Sequence, residues 1–292
     1  MAIINKILVK ETVIPRPYDA HKGTFGSLLT VCGSYTMPGA CTLCGRAALR
    51  SGLGLLNTAV IKSIYPMVVP QMSESIFTPV KENEHLTISK DEIPTLLSAA
   101  EKCDAIVVGC GMGNNEDTKK IVEALLLQNN KPLLIDADGI NAICTNIDIL
   151  KEAKCPVVLT PHPGEMSRII GKKIEFVQKN REQVALDFVE EFSNTVLVLK
   201  GAGTLIAEKN KPLLFNHTGN SGMATGGSGD VLSGIIGAFL ARNIEPYKAA
   251  ACGVYIHGLA GDISAVKTTK VSMVSLDIVK NLPAAFREVE NV

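Results

Sequence analysis

The chain has 292 residues, a length that admits one large α/β domain or two small ones. Lys plus Arg and Asp plus Glu both total 29, Trp is absent, and there are only 8 Phe and 5 Tyr. A net charge of zero excludes the basic footprint of a nucleic-acid binder or of a protein held on an anionic membrane, and the few aromatics argue against a base-stacking surface. Hydrophobic residues at 46% and charged residues at 20% are those of a folded globular chain.

From the N-terminus, Met1 to Lys10 has too short an apolar core and no small-residue cleavage pattern for a signal peptide. The longest uncharged stretch, Gly23 to Gly45, contains Pro38 and five glycines, which break it into strand, loop and helix rather than a membrane span. The expected location is the cytoplasm. The runs Ser27 to Cys32, Leu55 to Val60, Asp104 to Gly109, Pro132 to Asp136, Pro156 to Thr160 and Thr195 to Lys200 are nearly continuous Val, Ile and Leu. Such continuity predicts strands of a mostly parallel sheet covered on both faces. Helical spacing over Ala40 to Ser51, Glu116 to Asn129 and Glu175 to Phe192 completes repeated βαβ units. After Lys200 the pattern predicts a hairpin, Thr204 to Ala207 with Pro212 to Asn216, then helices over Gly229 to Arg242, Pro246 to Val266 and Ser275 to Glu288. No linker or repeat divides the chain, so residues 1–292 are read as one α/β domain.

Eight cysteines lie mostly in apolar runs, as reduced small hydrophobes would. Cys41-x-x-Cys44 has ligand spacing but no second pair at zinc-site spacing, and is read as helix-face packing. Asn216-His-Thr218 matches a glycosylation sequon, which means little without secretion.

The strongest chemical signal is the stretch from Thr218 to Ala241, in which a glycine-rich loop opens an apolar helix. Around Gly227, Ser228 and Gly229 several backbone N–H groups can converge on one spot, reinforced by the helix dipole, and form a hole for phosphate or developing negative charge. Asp230 follows in the first turn. It could simply cap the helix, but a cap does not require three glycines and a serine in the four preceding residues. A carboxylate beside an anion hole suits phosphoryl transfer to a hydroxyl, with Asp230 as the base. Neither a P-loop nor a complete dinucleotide fingerprint occurs; Gly109-x-Gly-x-Gly113 and Gly201-x-Gly203 fall short of one.

Gly219 to Leu232 resembles the signature of the ADP/ATP-dependent NAD(P)H-hydrate dehydratases, a ribokinase-like family that repairs hydrated nicotinamide cofactors. Further segments agree in order and spacing: His21-Lys-Gly-Thr-Phe-Gly, Gly39-Ala-Cys-Thr-Leu, Arg50-Ser-Gly-Leu-Gly, Gly109-Cys-Gly-Met-Gly, Asp136-Ala-Asp-Gly-Ile-Asn, Leu159-Thr-Pro-His-Pro-Gly-Glu and Lys200-Gly-Ala-Gly-Thr. The resemblance implies a nucleotide, ADP or ATP with Mg²⁺, that phosphorylates the ring hydroxyl of the S-form of NADHX or NADPHX. Loss of phosphate then restores NADH or NADPH and, from ADP, leaves AMP. It places Ala40, Gly113 and His162 along the hydrate site with Asp230 as the base, and Lys200, Gly201, Ala202, Gly203, Thr204 and Gly229 around the nucleotide. It further implies a homotetramer, and an NAD(P)H-hydrate epimerase as a separate partner protein, since no epimerase domain fits in this length.

Some assignments stay open at this level. His162, between two prolines after a strand, lies where α/β proteins bind ligands, a structural loop histidine being the lesser alternative. Asp136, Asp138 and Asn141 could orient phosphate or Mg²⁺, while Asp138 also reads as a helix N-cap. His21, Lys22 and Thr24 resemble the family's loop over the cofactor phosphates, or form a solvated loop. The chain departs from the family's commoner pattern at Cys110, where Pro is frequent, and over Ser34 to Pro38. A small-molecule kinase of the same fold, akin to hydroxyethylthiazole or sugar kinases, would use the same loop and aspartate but release a stable phosphate ester. A sensor without catalysis would not need the base.

Overall fold

The six apolar runs form strands of one ten-stranded sheet in a computed structural model that describes residues 2–291. In chain order the strands are β1 (Ala2–Ile3), β2 (Ser27–Val31), β3 (Leu55–Ile61), β4 (Ile76–Val80), β5 (Ala105–Val108), β6 (Leu133–Ile135), β7 (Val157–Leu159), β8 (Thr195–Leu199), β9 (Leu205–Ala207) and β10 (Leu214–Phe215). Across the sheet they run β1-β10-β9-β8-β7-β6-β5-β2-β3-β4, and from β8 to β4 every neighbouring pair is parallel. The predicted hairpin is β9 and β10, antiparallel to each other, with β9 also antiparallel to β8. The chain leaves β2 outward through β3 and β4, then returns to the other side of β2 as β5 and proceeds outward again. The switch point therefore lies between the C-terminal ends of β2 and β5, where open α/β sheets bind their ligands.

The outer strands β1 and β4 are the two that composition does not reveal. Pro79 interrupts the run Ile76–Val80, and proline inside a strand is tolerated because this strand is an edge. The helix expected over Glu175 to Phe192 is broken at Asn180 into Ile174–Lys179 and Arg181–Glu191. Asn180 leaves the helical conformation at ψ 32°, and its side-chain amide donates to the Phe176 carbonyl at 2.9 Å, offering the backbone a partner that competes with continued helix.

Helix Ser228–Ala241 is buried at every residue from Val231 to Ala241, as an all-apolar helix must be. Helix Pro246–Lys267 has the length and hydropathy of a membrane span, but 78% of its apolar window is buried within the fold, so core packing accounts for it. Ser228–Ala241 also lies against helix Pro38–Arg50. Gly234 permits this crossing, because a Cβ there would lie 2.1 Å from the Cys44 carbonyl oxygen.

Gly234→Ala is expected to destabilise the fold. Alanine would add about 1 kcal/mol of helix propensity, whereas forcing the two backbones apart costs roughly 1–3 kcal/mol or more. Urea unfolding should show a lower midpoint with an unchanged slope; an equal or higher midpoint would mean that the crossing relaxes freely.

Candidate functional site

Five adjacent strands deliver polar or thiol side chains to one edge of the sheet: Cys32 follows β2, Cys110 follows β5, Asp136 follows β6, His162 lies just beyond β7, and Lys200 follows β8. The N-terminus of helix Ser228–Ala241 faces the same edge. Asp136, 1% exposed, is the hub. Its Oδ1 accepts from Lys200 Nζ at 2.7 Å, and its Oδ2 accepts from Ser233 Oγ at 2.8 Å and from the Cys110 thiol at 3.9 Å. Burial by itself would push the Asp136 carboxyl up, but the Lys200 charge and the hydrogen bonds from Lys200 and Ser233 outweigh it and hold the group below the usual range. The chain turns at Ala137 through φ 49° and ψ −115°, an unfavourable conformation for alanine that costs about 1–3 kcal/mol. This turn sends Asp136 inward and leaves Asp138 to accept the Gly113 N–H at 2.8 Å. Asp138 is thus not the N-cap of its helix; it fastens the Gly109–Gly113 loop.

Gly227 stands at φ 87°, a left-handed turn open to glycine, and caps the apolar helix. The first helical hydrogen bond runs from Val231 N–H to the Gly227 carbonyl, and Ser228 N–H donates to Thr225 at 3.3 Å. The N–H groups of Gly229 and Asp230 have no acceptor among the described residues, as helix geometry requires of a first turn. Of the three N–H groups expected to converge here, Ser228 alone is spent; those of Gly227 and Gly229 have no acceptor among the described residues, and Asp230 adds a further free donor. The Ser228 hydroxyl pairs instead with His257 Nε2 at 3.3 Å, and burial pushes the His257 imidazole down to about 4, so it is neutral near pH 7. Asp230 lies beside Asp136 and Cys110, with one ligand atom of each within 4.8 Å of the others. Burial, then the negative charge of Asp136, push the Asp230 carboxyl up to about 6.

On the other flank, His162 caps helix Pro163–Ile169. Its Nδ1 accepts from the N–H groups of Gly164 and Glu165 at 3.0 and 3.3 Å, which assigns the ring proton to Nε2. Burial, then Lys200 and Arg168, hold the imidazole below its usual range. Glu165 returns a carboxylate oxygen to the His162 N–H at 2.7 Å and lies 3.8 Å from Lys200 Nζ. Burial raises the Glu165 carboxyl to about 7, even with Lys200 opposing. Sequence reasoning missed Glu165, Ser233 and His257; only Glu165 carried a signal, standing three residues after His162 as in a capping box.

Lys200 joins the network directly, whereas residues 201–204 form the loop that follows it and make no hydrogen bond to Asp136, Asp230 or Glu165 among the described residues. Arg181, also unforeseen, shapes that loop by donating to the carbonyls of Leu199, Lys200 and Gly203 at 3.0–3.1 Å. A Cβ on Gly229 would lie 3.4 Å from Asp136 and 3.5 Å from Lys200 Nζ, which puts this residue over the ion pair. Ala40 adjoins Gly111, where a Cβ would come within 2.6 Å of it. Asn141 accepts from Arg168 at 2.8 Å and does not reach the cluster. His21, Lys22 and Thr24 lie elsewhere: they precede β2, beside Gly26, which meets Ala241 at the far end of the 14-residue helix that begins at Ser228. At 1.5 Å per residue Ala241 is about 17 Å from Asp230.

The carboxylates suit a Mg²⁺ that arrives on nucleotide phosphates rather than one caged by protein. Asp136 is taken up by Lys200 and Ser233 and Asp138 by Gly113, leaving few free oxygens for an ion that prefers phosphate and water.

The sheet order, with a polar cluster at the strand ends beside unspent helix N–H groups, marks a ribokinase-like α/β protein; much more distant kinases share the fold alone. A family model described as NAD(P)H-hydrate dehydratase matches residues 28–284, and the chain belongs to that family. It is 32% identical over 284 residues to the ADP-dependent (S)-NAD(P)H-hydrate dehydratase of Bacillus subtilis, covering 97% of this chain and 96% of that one. A crystal structure of the Bacillus subtilis ADP/ATP-dependent NAD(P)H-hydrate dehydratase, co-crystallised with ATP/Mg²⁺, superposes with a TM-score of 0.84 at 30% identity over 99% of both chains. The bifunctional NAD(P)H-hydrate repair enzyme Nnr of Moorella thermoacetica is 37% identical over 275 residues, 94% of this chain but 52% of that one. The chain thus spans about half the length of its bifunctional relatives.

Removing one partner of the Lys200–Asp136 pair should cost about 3–5 kcal/mol, because the other charge stays buried. Lys200→Met and Asp136→Asn each lower stability by that order, and the double variant recovers much of the loss. Additive losses in a denaturant double-mutant cycle would show that the pair is not coupled.

Proposed function

We propose that this protein dehydrates the S-form of hydrated NADH or NADPH at the expense of ADP or ATP. The observation that carries the reading is Asp230, a carboxylate held at about 6 beside two unspent helix N–H groups while its neighbour Asp136 is neutralised by Lys200. The hydrate would lie between Ala40, Gly113 and His162, and the nucleotide between Lys200–Thr204 and Gly229. Asp230 takes the proton of the ring hydroxyl as its oxygen forms a bond to the terminal phosphorus and the phosphorus–oxygen bond to the leaving nucleotide breaks. The Gly229 and Asp230 N–H groups stabilise the charge on the transferring group. The carbon–oxygen bond then breaks, phosphate leaves with the bonding pair, and loss of a ring proton restores the dihydronicotinamide. Mg²⁺ on the phosphates would neutralise part of their charge. The relatives' names favour this over a kinase that releases a stable ester. A cytoplasmic location, a homotetrameric assembly and a separate epimerase that interconverts the hydrate epimers belong to the same reading.

One inorganic phosphate should appear for each reduced nicotinamide regenerated from NADHX, with AMP formed from ADP, and a non-hydrolysable analogue should bind without supporting repair. Accumulation of a phosphorylated thiazole or sugar with no phosphate release would assign a kinase instead.

Asp230→Asn should lower turnover by about two to four orders of magnitude with nucleotide affinity little changed. In the unsubstituted enzyme kcat/KM should fall about tenfold per pH unit below about 6, where Asp230 takes up its proton. Stability should move the other way. A carboxyl raised in the fold stabilises when protonated and loses that stability as pH rises through about 6. Asp230→Asn should therefore be more stable than the parent near neutral pH, by on the order of 1–2 kcal/mol after allowance for solvent screening, and equal to it at about pH 4. A folded Asn variant with near-normal turnover would remove Asp230 from the reaction.

A further inference from the structure

Cys32 after β2, Cys44 on helix Pro38–Arg50 and Cys110 after β5 bring their sulfurs within 4.8 Å of one another, and each residue is 0% exposed. Three separate elements hold them: Gly33 N–H donates to the Cys110 carbonyl at 2.8 Å across the switch point, and Cys44 sits where its helix crosses Gly234. We infer that Cys32, Cys44 and Cys110 form a binding site for a thiophilic closed-shell cation, monovalent copper.

The donor set decides the ion. Three sulfurs around one metal at about 2.3 Å lie roughly 4 Å apart in a trigonal plane, so the thiols need to move by less than about 1 Å. A hard cation such as Mg²⁺ is excluded by the absence of oxygen donors in the triad. Zinc would require a fourth ligand. No fourth His, Cys, Asp or Glu joins the triad among the described residues, and all three cysteines are fully buried. Copper(I) accepts two or three soft sulfurs without a fourth ligand. On binding, two thiols lose their protons to solvent and the third coordinates as a thiol, so the site gains a net charge of −1. The Lys200 ammonium, bound to the same Asp136 carboxylate that accepts from the Cys110 thiol, lies on that side to compensate. Occupancy does not depend on which reaction Asp230 serves.

The test is an anaerobic titration of the reduced full chain with Cu(I) delivered from a chromophoric chelator. One equivalent should transfer per chain, with a thiolate-to-copper charge-transfer band and the luminescence of a water-shielded site. Cys32→Ala and Cys44→Ala should each weaken binding by at least about 100-fold, more than loss of an outer-shell partner would. Cys41→Ala removes a thiol from the same helix outside the triad and should change nothing. No transfer to the unsubstituted protein, or an undiminished band in the Cys32→Ala/Cys44→Ala variant, overturns the inference. X-ray absorption on the loaded unsubstituted protein decides independently of how the variants fold: three sulfur neighbours support the site, and nitrogen or oxygen neighbours refute it.

Discussion

The buried ion pair between Lys200 and Asp136 is the constraint around which the rest of this site is arranged. It reaches across β7, joining the end of β8 to the end of β6. Taking both charges from water costs several kcal/mol, recovered only if the remaining lone pairs and protons find partners. Ser233, one helical turn beyond Asp230, supplies one such partner to Asp136, and Glu165 lies close enough to share the Lys200 charge. The same bonds dock the apolar helix and the His162 loop against the sheet edge. Stability and site geometry are therefore set by one network, and a change at any member is felt at the others.

With Asp136 satisfied in this way, Asp230 is the carboxylate left without a cation of its own. Its proton affinity rises because it shares a partly dry space with an anion, while the strong pairing of that anion keeps the rise moderate. Two acids at one edge are thus driven in opposite directions, which separates a structural carboxylate from one able to exchange a proton near neutral pH. Close backbone approach makes this possible. Gly234 lets helix Ser228–Ala241 lie against helix Pro38–Arg50, and Gly229 brings the first helical turn over the ion pair with no side chain between.

The central strands were legible because burial on both faces leaves a continuous apolar run, and the glycine loop was legible because three glycines so close together have a backbone purpose. The edge strands β1 and β4 were not, since a two-residue strand and a run containing Pro79 carry no periodic signal. Within the site, Asp230, Asp136, Lys200 and His162 announced themselves by standing at strand ends or in the glycine loop. Ser233 and His257 lie inside apolar helices, where nothing in the local pattern separates a hydrogen-bonding side chain from a tolerated one. The thiol triad was invisible for another reason. Cys41-x-x-Cys44 is the pair that spacing singles out, yet Cys44 meets Cys32 and Cys110, which only the crossing of strand ends brings together. The His21 loop shows the converse: motif order suggested proximity to phosphate, but a segment preceding β2 emerges at the wrong end of a parallel sheet.

Near neutral pH the cluster holds one firm cation, Lys200, against one firm anion, Asp136, together with two carboxyls, Asp230 and Glu165, whose affinities lie at about 6 and about 7. A nucleotide phosphate entering this space adds negative charge beside both, and by the same electrostatics would draw a proton onto Asp230 just when the proposed reaction needs it ionised. Something must offset that charge before the hydroxyl can be deprotonated. The N–H groups of Gly229 and Asp230 would meet such a phosphate with the positive end of the helix dipole, and without adding a titratable group. Glu165, with the higher affinity of the two carboxyls, protonates first and leaves the Lys200 charge to the remaining anions. In the proposed reaction the glycine turn and the His162 cap, which look like separate devices in the sequence, would thus act on one electrostatic problem: keeping Asp230 ionised in the presence of its substrate.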